Sequence, residues 1–262
     1  MSEPVISLQN VDLIYAGRTL PVKAIENVSF SAADGEFVSI VGPSGCGKST
    51  LLKIVSGLLP QSAGSVRVNG QAVKGPQPSV GIVFQSPLLM PWRNILDNVL
   101  LQMDMRGLPR TQHRQEARNL LAMVGLSNFE QAYPYQLSGG MQQRVGICRA
   151  LVHKPQLLIM DEPFGALDAM TREQMMVELQ RIWMERKTTV LFITHSLSEA
   201  IFLSDRVLVM GPRPGHVVGE FPIDIPRPRR IKEERSPLFA DLADRVRGCL
   251  EASGAIAGAA GA

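Results

Sequence analysis

The sequence predicts an α/β fold with a mostly parallel sheet, an antiparallel β layer ahead of it and an inserted helical subdomain. Three apolar runs of strand length predict the sheet, at residues 37–41, 157–160 and 189–194. Such runs are typical of strands that are buried on both faces of a parallel sheet. The helical subdomain is predicted by a change to helical runs between residues 86 and 136.

The N-terminal residues predict the antiparallel layer. Residues 6–8, 11–15 and 24–30 have the composition of two or three strands, with Gly17 in a turn between them. Tyr15 ends one of these strands. Its ring can stack on an adenine, or it can be an ordinary tyrosine of a sheet, and the sequence leaves both interpretations open.

Residues 42–50, with the sequence GPSGCGKST, follow the first apolar run and precede a helical pattern. Glycines at this point allow backbone N–H groups to surround an oxyanion without interference from Cβ atoms. Lys48 supplies a positive charge for phosphates and Ser49 a hydroxyl ligand for Mg²⁺. We therefore predict a phosphate-binding loop rather than a glycine-rich structural turn. The position of Cys46 among these donors predicts a lowered thiol pKa.

Polar groups also follow two later strands. Residues 80–84 predict a strand that ends at Gln85, whose amide is then exposed and directed. Asp161 and Glu162 end the apolar run 157–160. Two acids at the end of a buried strand are costly unless they serve a metal ion or a proton. His195 ends the run 189–194, at the edge of the sheet where ligands bind in open α/β folds.

The subdomain and the segment behind it contain the longest helical patterns. Helices are predicted at residues 94–105, 111–124, 141–152 and 168–185. The third begins within residues 137–144, LSGGMQQR, whose glycine turn opens the helical pattern and predicts a second helix N-terminus facing phosphate. Residues 88–92, LLMPW, are either core of the subdomain or the border of a groove, and both can be true.

The C-terminal part predicts smaller elements. A helix is expected at residues 198–204, strands at 206–210 and 217–223, and a last helix at 240–250. Residues 226–230, PRPRR, are predicted to be a solvated basic linker, with contact to phospholipid as the alternative. Residues 252–262 are nearly all Ala and Gly and predict a disordered tail.

Composition excludes several classes of protein. The 27 basic and 24 acidic residues give a net charge of +3, which does not favour nucleic acid as a partner. The three cysteines lack the spacing of a zinc site or a disulfide framework. No apolar run approaches 18 residues and no secretory signal is recognisable, so we expect a chain that neither spans a membrane nor is exported.

The order of these motifs resembles that of the ATP-binding cassette (ABC) transporter ATPases over residues 6–223, and the segment 137–144 is the most specific of them. The segments 90–95, 163–168 and 205–215 are similar to those of ATPases from nitrate, sulfonate and taurine importers. Ser196 is a departure, since an Asp usually follows the histidine at this point in the family.

The resemblance implies a P-loop NTPase fold and a role for each motif. Glu162 would be the general base, His195 would contact the γ-phosphate, and Gln85 and Lys48 would complete the catalytic set. Mg²⁺ would be held by Ser49, Gln85 and Asp161. ATP would be bound by Tyr15, Gly42, Pro43, Ser44, Gly45, Cys46, Gly47, Lys48, Ser49, Thr50, Ser138, Gly139, Gly140 and Asp168, with Ser138 and Gly140 lent to the ATP of a second copy.

The resemblance also implies an organisation and partners. Residues 1–225 would form the ATPase domain, with the helical subdomain 86–136 inserted, and residues 226–262 a C-terminal extension. The expected function is the ATPase of a bacterial importer of a small anionic solute, at the cytoplasmic face of the inner membrane. Its partners would be a second copy, permease subunits and, indirectly, a solute-binding protein. Another solute, an exporter or a lipid-transport cassette are alternatives, whereas DNA-repair and chromosome ATPases need an insertion that is absent here.

Overall fold

The fold consists of ten strands and eight α-helices within the residues that the structure describes. The computed structural model describes residues 3–16, 20–165 and 167–254. Gly17 and residues 255–262 of the predicted tail lie outside these ranges. The elements are β1 (Ile6–Tyr15), β2 (Val22–Ala32), β3 (Phe37–Val41), α1 (Lys48–Val55), β4 (Ala63–Val68), β5 (Gln71–Ala72), β6 (Val80–Val83), α2 (Ile95–Val99), α3 (Leu101–Met105), α4 (Arg110–Met123), α5 (Gly139–Leu151), β7 (Leu157–Asp161), α6 (Ala169–Arg186), β8 (Thr189–Ile193), α7 (Leu197–Leu203), β9 (Arg206–Met210), β10 (Val217–Pro222) and α8 (Pro237–Ala252).

The chain divides into two compact units, one formed by residues 1–77 with 187–262 and the other by residues 78–186. The first unit contains an antiparallel sheet with the strand order β2-β1-β4-β5. This sheet confirms the predicted antiparallel layer, although residues 6–15 form one irregular strand rather than two.

The first unit also contains parallel strands, because β3 pairs in parallel with both β8 and β9. All five residues of β3 are buried, as the apolar run predicted. Strand β10 is antiparallel to β9. Since β3 and β8 run in the same direction, the loop after β3 and the turn after β8 lie at the same edge of the sheet. The predicted α/β fold is thus confirmed.

The second unit combines the parallel pair β6 and β7 with helices α2 to α6. It includes the residues 86–136 that the sequence predicted as a helical subdomain. The predicted helix 94–105 is wrong in one respect, because Leu100 separates α2 from α3. Met103 N donates to Leu100 O at 2.9 Å, which closes a tighter turn there. Neither glycine nor proline marks the break.

The C-terminal segment corrects the prediction of a solvated linker. Arg229 is only 3% exposed, and its guanidinium donates to backbone carbonyls, including Ile201 O at 2.7 Å and Ser204 O at 2.7 Å. Arg227 pairs with Asp205. The carbonyls at the end of α7 lack helical partners, so a buried cation can satisfy them. Burial lowers the pKa of Arg229 to about 10.

Helix α8 follows this segment and packs through one apolar face. Phe239, Leu242, Val246 and Leu250 are buried at helical spacing. The helix begins after Ser236, whose Oγ accepts a hydrogen bond from Phe239 N at 3.3 Å. Among the described residues, no helix combines the length and the apolar character needed to cross a membrane.

Candidate nucleotide site

The loop between β3 and α1 has a backbone that requires glycine. Gly45 and Gly47 have φ angles of +75° and +114°, a region that L side chains rarely adopt. A Cβ on Gly47 would also lie 2.6 Å from Ile25 Cδ1 and 3.0 Å from Ala24 O. At Gly42 it would lie 2.7 Å from Met210 O. The loop therefore follows a path close to neighbouring backbone, as expected of a phosphate-binding loop.

Lys48 lies at the centre of this loop. The residue is 5% exposed, and its Nζ donates to Gly42 O at 2.8 Å and to Pro43 O at 3.0 Å. An ammonium group has three protons, so these two bonds leave one for a ligand. Ser49 follows on the first turn of α1 and is exposed. The loop thus presents a positive charge and a hydroxyl at a helix N-terminus.

Tyr15 lies beside the same helix. Its hydroxyl is 3.2 Å from Thr50 Oγ1, and 38% of the residue is exposed. Tyr15 also pairs with Val22 across β1 and β2, as a tyrosine of a sheet would. The structure therefore brings Tyr15 next to the loop helix, and adenine stacking by its ring stays a prediction.

His195 follows β8 and is exposed. The preceding Thr194 is fixed on two sides, because its N–H donates to Ile40 O at 3.2 Å and its Oγ1 donates to Glu199 Oε2 at 2.5 Å. Ser196 caps α7 by accepting from Glu199 N at 3.4 Å. The histidine thus extends from a well-supported turn. This turn lies at the same edge of the sheet as residues 42–50, which we call the glycine loop.

Cys46 contradicts the expected lowering of its thiol pKa. The residue is 1% exposed, and burial raises the pKa of the thiol. The charges of Lys48 and Arg213 act in the opposite direction, but burial has the larger effect. The sequence indicated the nearby donors but not the burial.

The predicted polar residues of the second unit converge on one point. In the parallel pair β6 and β7, Val83 lies opposite Met160, so Gln85 and Glu162 follow neighbouring strand ends. Gln85 Nε2 and Glu162 Oε2 lie 3.5 Å and 3.9 Å from the position that a Cβ on Gly165 would occupy. The absence of a side chain at Gly165 therefore leaves space between an amide and a carboxylate.

Glu162 has an unusual backbone. Its φ angle is +43°, in the left-handed region that residues with a Cβ seldom adopt. Such a conformation costs ~1–3 kcal/mol and occurs preferentially at functional sites. Both Asp161 and Glu162 are half-buried at the end of β7. The strain makes Glu162 a candidate functional residue.

The segment 137–144 forms the start of α5, as predicted, although the helix begins at Gly139 rather than at 141. Ser138 caps the helix through a 3.3 Å hydrogen bond from Met141 N to its Oγ. Ser138 and Gly139 are exposed, whereas Gly140 is buried. A Cβ on Gly140 would lie 2.6 Å from Thr171 Cγ2, so this position requires glycine.

Asp168 has a structural role that the sequence did not indicate. Its Oδ1 accepts from Thr171 N at 3.0 Å at the start of α6. Hydrogen bonds from Thr171 lower the pKa of this exposed carboxylate. Ala166, which precedes it in the recognised motif, lies outside the described residues.

The segment 88–92 is exposed at its ends. Trp92 is 72% exposed and Leu88 is 55% exposed, whereas Leu89 and Met90 are half-buried. The exposure of Trp92 excludes the interpretation of this residue as core. Tyr135, in the same unit, is 76% exposed and stacks on Tyr133.

Sequence reasoning missed two arginines that support the site. Arg149 donates to the carbonyls of Pro87 and Leu88, just after Gln85. Arg213 donates from Nε to Gly45 O within the glycine loop. Their acceptors are backbone carbonyls, which every residue has, so no sequence pattern identifies either pair.

The sequence is similar to a family profile and to known proteins. The ABC transporter family profile matches residues 25–165. The chain is 48% identical over 244 residues to a taurine import ATP-binding protein of Rhizobium johnstonii, covering 90% of this chain and 92% of the relative. It is 47% identical over 246 residues to an uncharacterized ABC transporter ATP-binding protein of Methanocaldococcus jannaschii, covering 92% of each chain.

Solved structures show the same fold. A dimeric post-hydrolysis state of an ATP-binding cassette, bound to ADP and phosphate, superimposes with a TM-score of 0.73 at 33% identity. That match covers 84% of this chain and 99% of the cassette. A protein named cbiO1, from Clostridium perfringens and described as part of the ABC transporter complex cbiONQ, gives a TM-score of 0.77 at 25% identity, and the match covers 93% of this chain and 100% of that chain.

Proposed function

The chain belongs to the ABC transporter family, and from this premise we propose that it drives the import of a small solute that carries a sulfonate group, such as taurine. The chain is an ATP-binding ATPase of this family. The observation that carries the proposal is the 48% identity, over 90% of the chain, to a taurine import ATP-binding protein. Nitrate and other sulfonates are the neighbouring candidates, because the recognised segments are typical of the subfamily rather than of one solute.

The residues of the first unit suit phosphate binding. We assign the phosphates to the backbone donors of residues 42–50 and to the ammonium group of Lys48, which already lies within the loop. Tyr15 is assigned to the adenine, since its ring lies beside α1. His195 is assigned to the γ-phosphate, because it follows a parallel neighbour of β3.

The residues of the second unit suit activation of water. Glu162 is assigned as the general base, because its carboxylate is half-buried and held by a strained backbone. The side-chain amide of Gln85 lies at the edge of the same space, beside Gly165. In this role Glu162 accepts a proton from the attacking water while the amide of Gln85 helps to orient it.

Mg²⁺ fits the chemistry of the remaining donors. Ser49 offers a hydroxyl, Gln85 an amide and Asp161 a carboxylate, and these are the hard oxygen ligands that this ion prefers. When bound, the ion would neutralise charge that develops on the phosphates. We propose these three residues as its ligands.

We further propose that two copies of the chain enclose ATP. The supporting observations are that Ser138 and Gly139 are exposed at the start of α5 and that the similar cassette of known structure is a dimer bound to ADP and phosphate. Ser138 and Gly140 would then contribute to the nucleotide site of the second copy, and Asp168 would help to align the shared site.

The proposed importer also requires membrane subunits. The exposed apolar residues Leu88 and Trp92 are assigned to the contact with a permease. The chain would act at the cytoplasmic face of the membrane, with a solute-binding protein acting indirectly through the permease. Residues 1–225 would form the ATPase domain with residues 86–136 inserted, and residues 226–262 its extension.

Solute uptake tests the proposal. Cells with the gene disrupted are complemented with the wild-type chain or with Lys48→Ala, and uptake of radiolabelled taurine, other alkanesulfonates and nitrate is measured. We expect the wild-type chain alone to restore taurine uptake. Normal uptake of all these solutes by the disrupted cells would reject the solute class, and a defect in export would favour an exporter instead.

A further inference from the structure

A short segment that follows β9 packs against the glycine loop. We call residues 211–216, with the sequence GPRPGH, the arginine strap. Gly211 N donates to His216 O at 2.9 Å, which closes the strap. Gly215 N donates to Ala24 O and Glu26 N donates to Gly215 O, both at 2.9 Å. Both the N–H and the C=O of Gly215 therefore form backbone hydrogen bonds with β2. These bonds fix the strap to that strand.

The same strap contacts the backbone of the glycine loop. A Cβ on Gly215 would lie 2.0 Å from Cys46 O, so the two backbones are in direct contact. Met210, just before the strap, has its carbonyl 2.7 Å from the position of a Cβ on Gly42. Ile25 of β2, which is paired with Gly215, closely approaches Gly47. The loop is thus confined by β2 and by the strap.

Arg213 is the charged residue of this contact. Its Nε donates to Gly45 O at 2.5 Å. Its Nη2 lies 3.2 Å from the position that a Cβ on Gly45 would occupy. The guanidinium therefore lies against Gly45, which has no side chain to displace it. Its charge also reaches Cys46, where it acts to lower the pKa of the thiol.

We propose that Arg213 is a positioning residue that prepares the glycine loop for the phosphates of a nucleotide. A hydrogen bond from a cation is stronger than one between neutral groups, and it polarises the peptide that accepts it. The peptide here joins Gly45 to Cys46, in the middle of the loop. Holding this carbonyl in place removes part of the cost of ordering the loop when phosphate binds. The inference rests on the proposed phosphate-binding role of residues 42–50.

If Arg213 positions the loop for phosphates, its loss should weaken the binding only of ligands that carry phosphate groups. Arg213→Ala is expected to weaken the binding of ATP and ADP ~10-fold, which is typical for the loss of one charge-assisted hydrogen bond. Competition by adenosine, which has no phosphate, is expected to remain unchanged. The KM for ATP is expected to rise by a similar factor while kcat stays within about two-fold, because Arg213 orders the ground-state loop rather than the reacting atoms.

The experiment compares Arg213→Ala and four further variants with the wild-type chain by calorimetry and steady-state hydrolysis. Arg213→Gln keeps a polar but shorter side chain without the charge, and Arg213→Lys retains the charge and is expected to recover part of the affinity. Arg247→Ala is the matched control, since this exposed arginine pairs only at 3.6 Å with Asp244 on α8. Lys48→Ala tests the loop itself. Thermal unfolding checks that each variant is folded.

The outcomes separate the inference from the function on which it rests. Wild-type affinity for ATP in both Arg213→Ala and Arg213→Gln would overturn the positioning role, and so would an equal loss of adenosine binding. Wild-type affinity in Lys48→Ala would instead overturn the phosphate-binding role of the loop. If Arg213→Ala does not fold, Arg213→Gln decides, because it keeps most of the side-chain volume.

Discussion

The guanidinium of Arg149 donates to the carbonyl of Leu88, with 2.8 Å between Nη1 and the oxygen. Its Nη2 donates to Pro87 O at 2.5 Å, and the residue is 8% exposed. Leu88 itself has a φ angle of +47°, in the left-handed region. Helix α5, which begins at the exposed Ser138, therefore fixes the segment that follows Gln85.

The first prediction concerns this link. Arg149→Met leaves two backbone carbonyls without their donor, and we expect the free energy of unfolding to fall by about 2–4 kcal/mol. Urea denaturation measures the change. Arg114→Met is the control, because Arg114 is exposed on α4 and its loss should cost less than about 0.5 kcal/mol. Equal stability of the two variants would show that the Arg149 contacts contribute nothing.

The second prediction concerns the glycine loop. Gly47→Ala places a Cβ at a φ of +114° and 3.0 Å from Ala24 O, so we expect ATP affinity to fall at least ~10-fold and stability by about 1–3 kcal/mol. Gly75→Ala is the matched control, since a Cβ there meets nothing within 4 Å. Calorimetry with ATP and thermal unfolding measure both changes. An unaltered Gly47→Ala variant would mean that the loop adopts another path.

The sequence predicted the features that depend on residues that are close to each other along the chain. The residues that follow β3, β7 and β8 could be identified because each strand is a short, largely apolar run, after which the sequence changes to a glycine-rich loop or to polar residues. The burial of Arg229 could not, because its acceptors lie at residues 201–204 and only the folded chain brings them near. Likewise, the strain at Glu162 is a backbone property that residue type does not reveal.

The third prediction concerns pH. Burial, aided by the charge of Arg106 and by His113, lowers the pKa of His153 from 6.5 to about 4, against a smaller opposing effect of the Val80 backbone. Between these values the unfolded chain binds a proton that the folded chain excludes, so stability decreases as pH falls from 6.5 to 4, by up to ~1.4 kcal/mol per pH unit.

His153→Gln is expected to flatten this part of the stability profile. Urea denaturation between pH 4.5 and 7.5 measures the slope for both chains, and an NMR titration of the imidazole checks its pKa directly. A profile that is equally steep in the variant would assign the pH dependence to other groups.

The fourth prediction concerns the proposed permease contact. Trp92 is 72% exposed, so Trp92→Ala should leave the hydrolysis rate of the isolated chain unchanged while reducing its copurification with the permease, at least ~10-fold for the loss of a buried aromatic anchor. Met105→Ala is the matched control, because Met105 is an apolar residue of the same unit with 76% exposure. Normal copurification of the Trp92 variant would assign the contact to another surface.

The last prediction tests the general base and the second copy together. Glu162→Gln keeps the size of the side chain but cannot accept a proton, so we expect hydrolysis to fall by about 10²- to 10⁴-fold while ATP binding persists.

Uncleaved ATP would then hold two chains together by mass action. Light scattering should show a dimer with ATP and a monomer with ADP. Adding Ser138→Arg places a long cation at an exposed helix start, which should abolish the dimer without abolishing ATP binding. Near-normal hydrolysis by Glu162→Gln would remove Glu162 from the base role. An inactive variant that stays monomeric with ATP at high protein concentration would contradict the shared site.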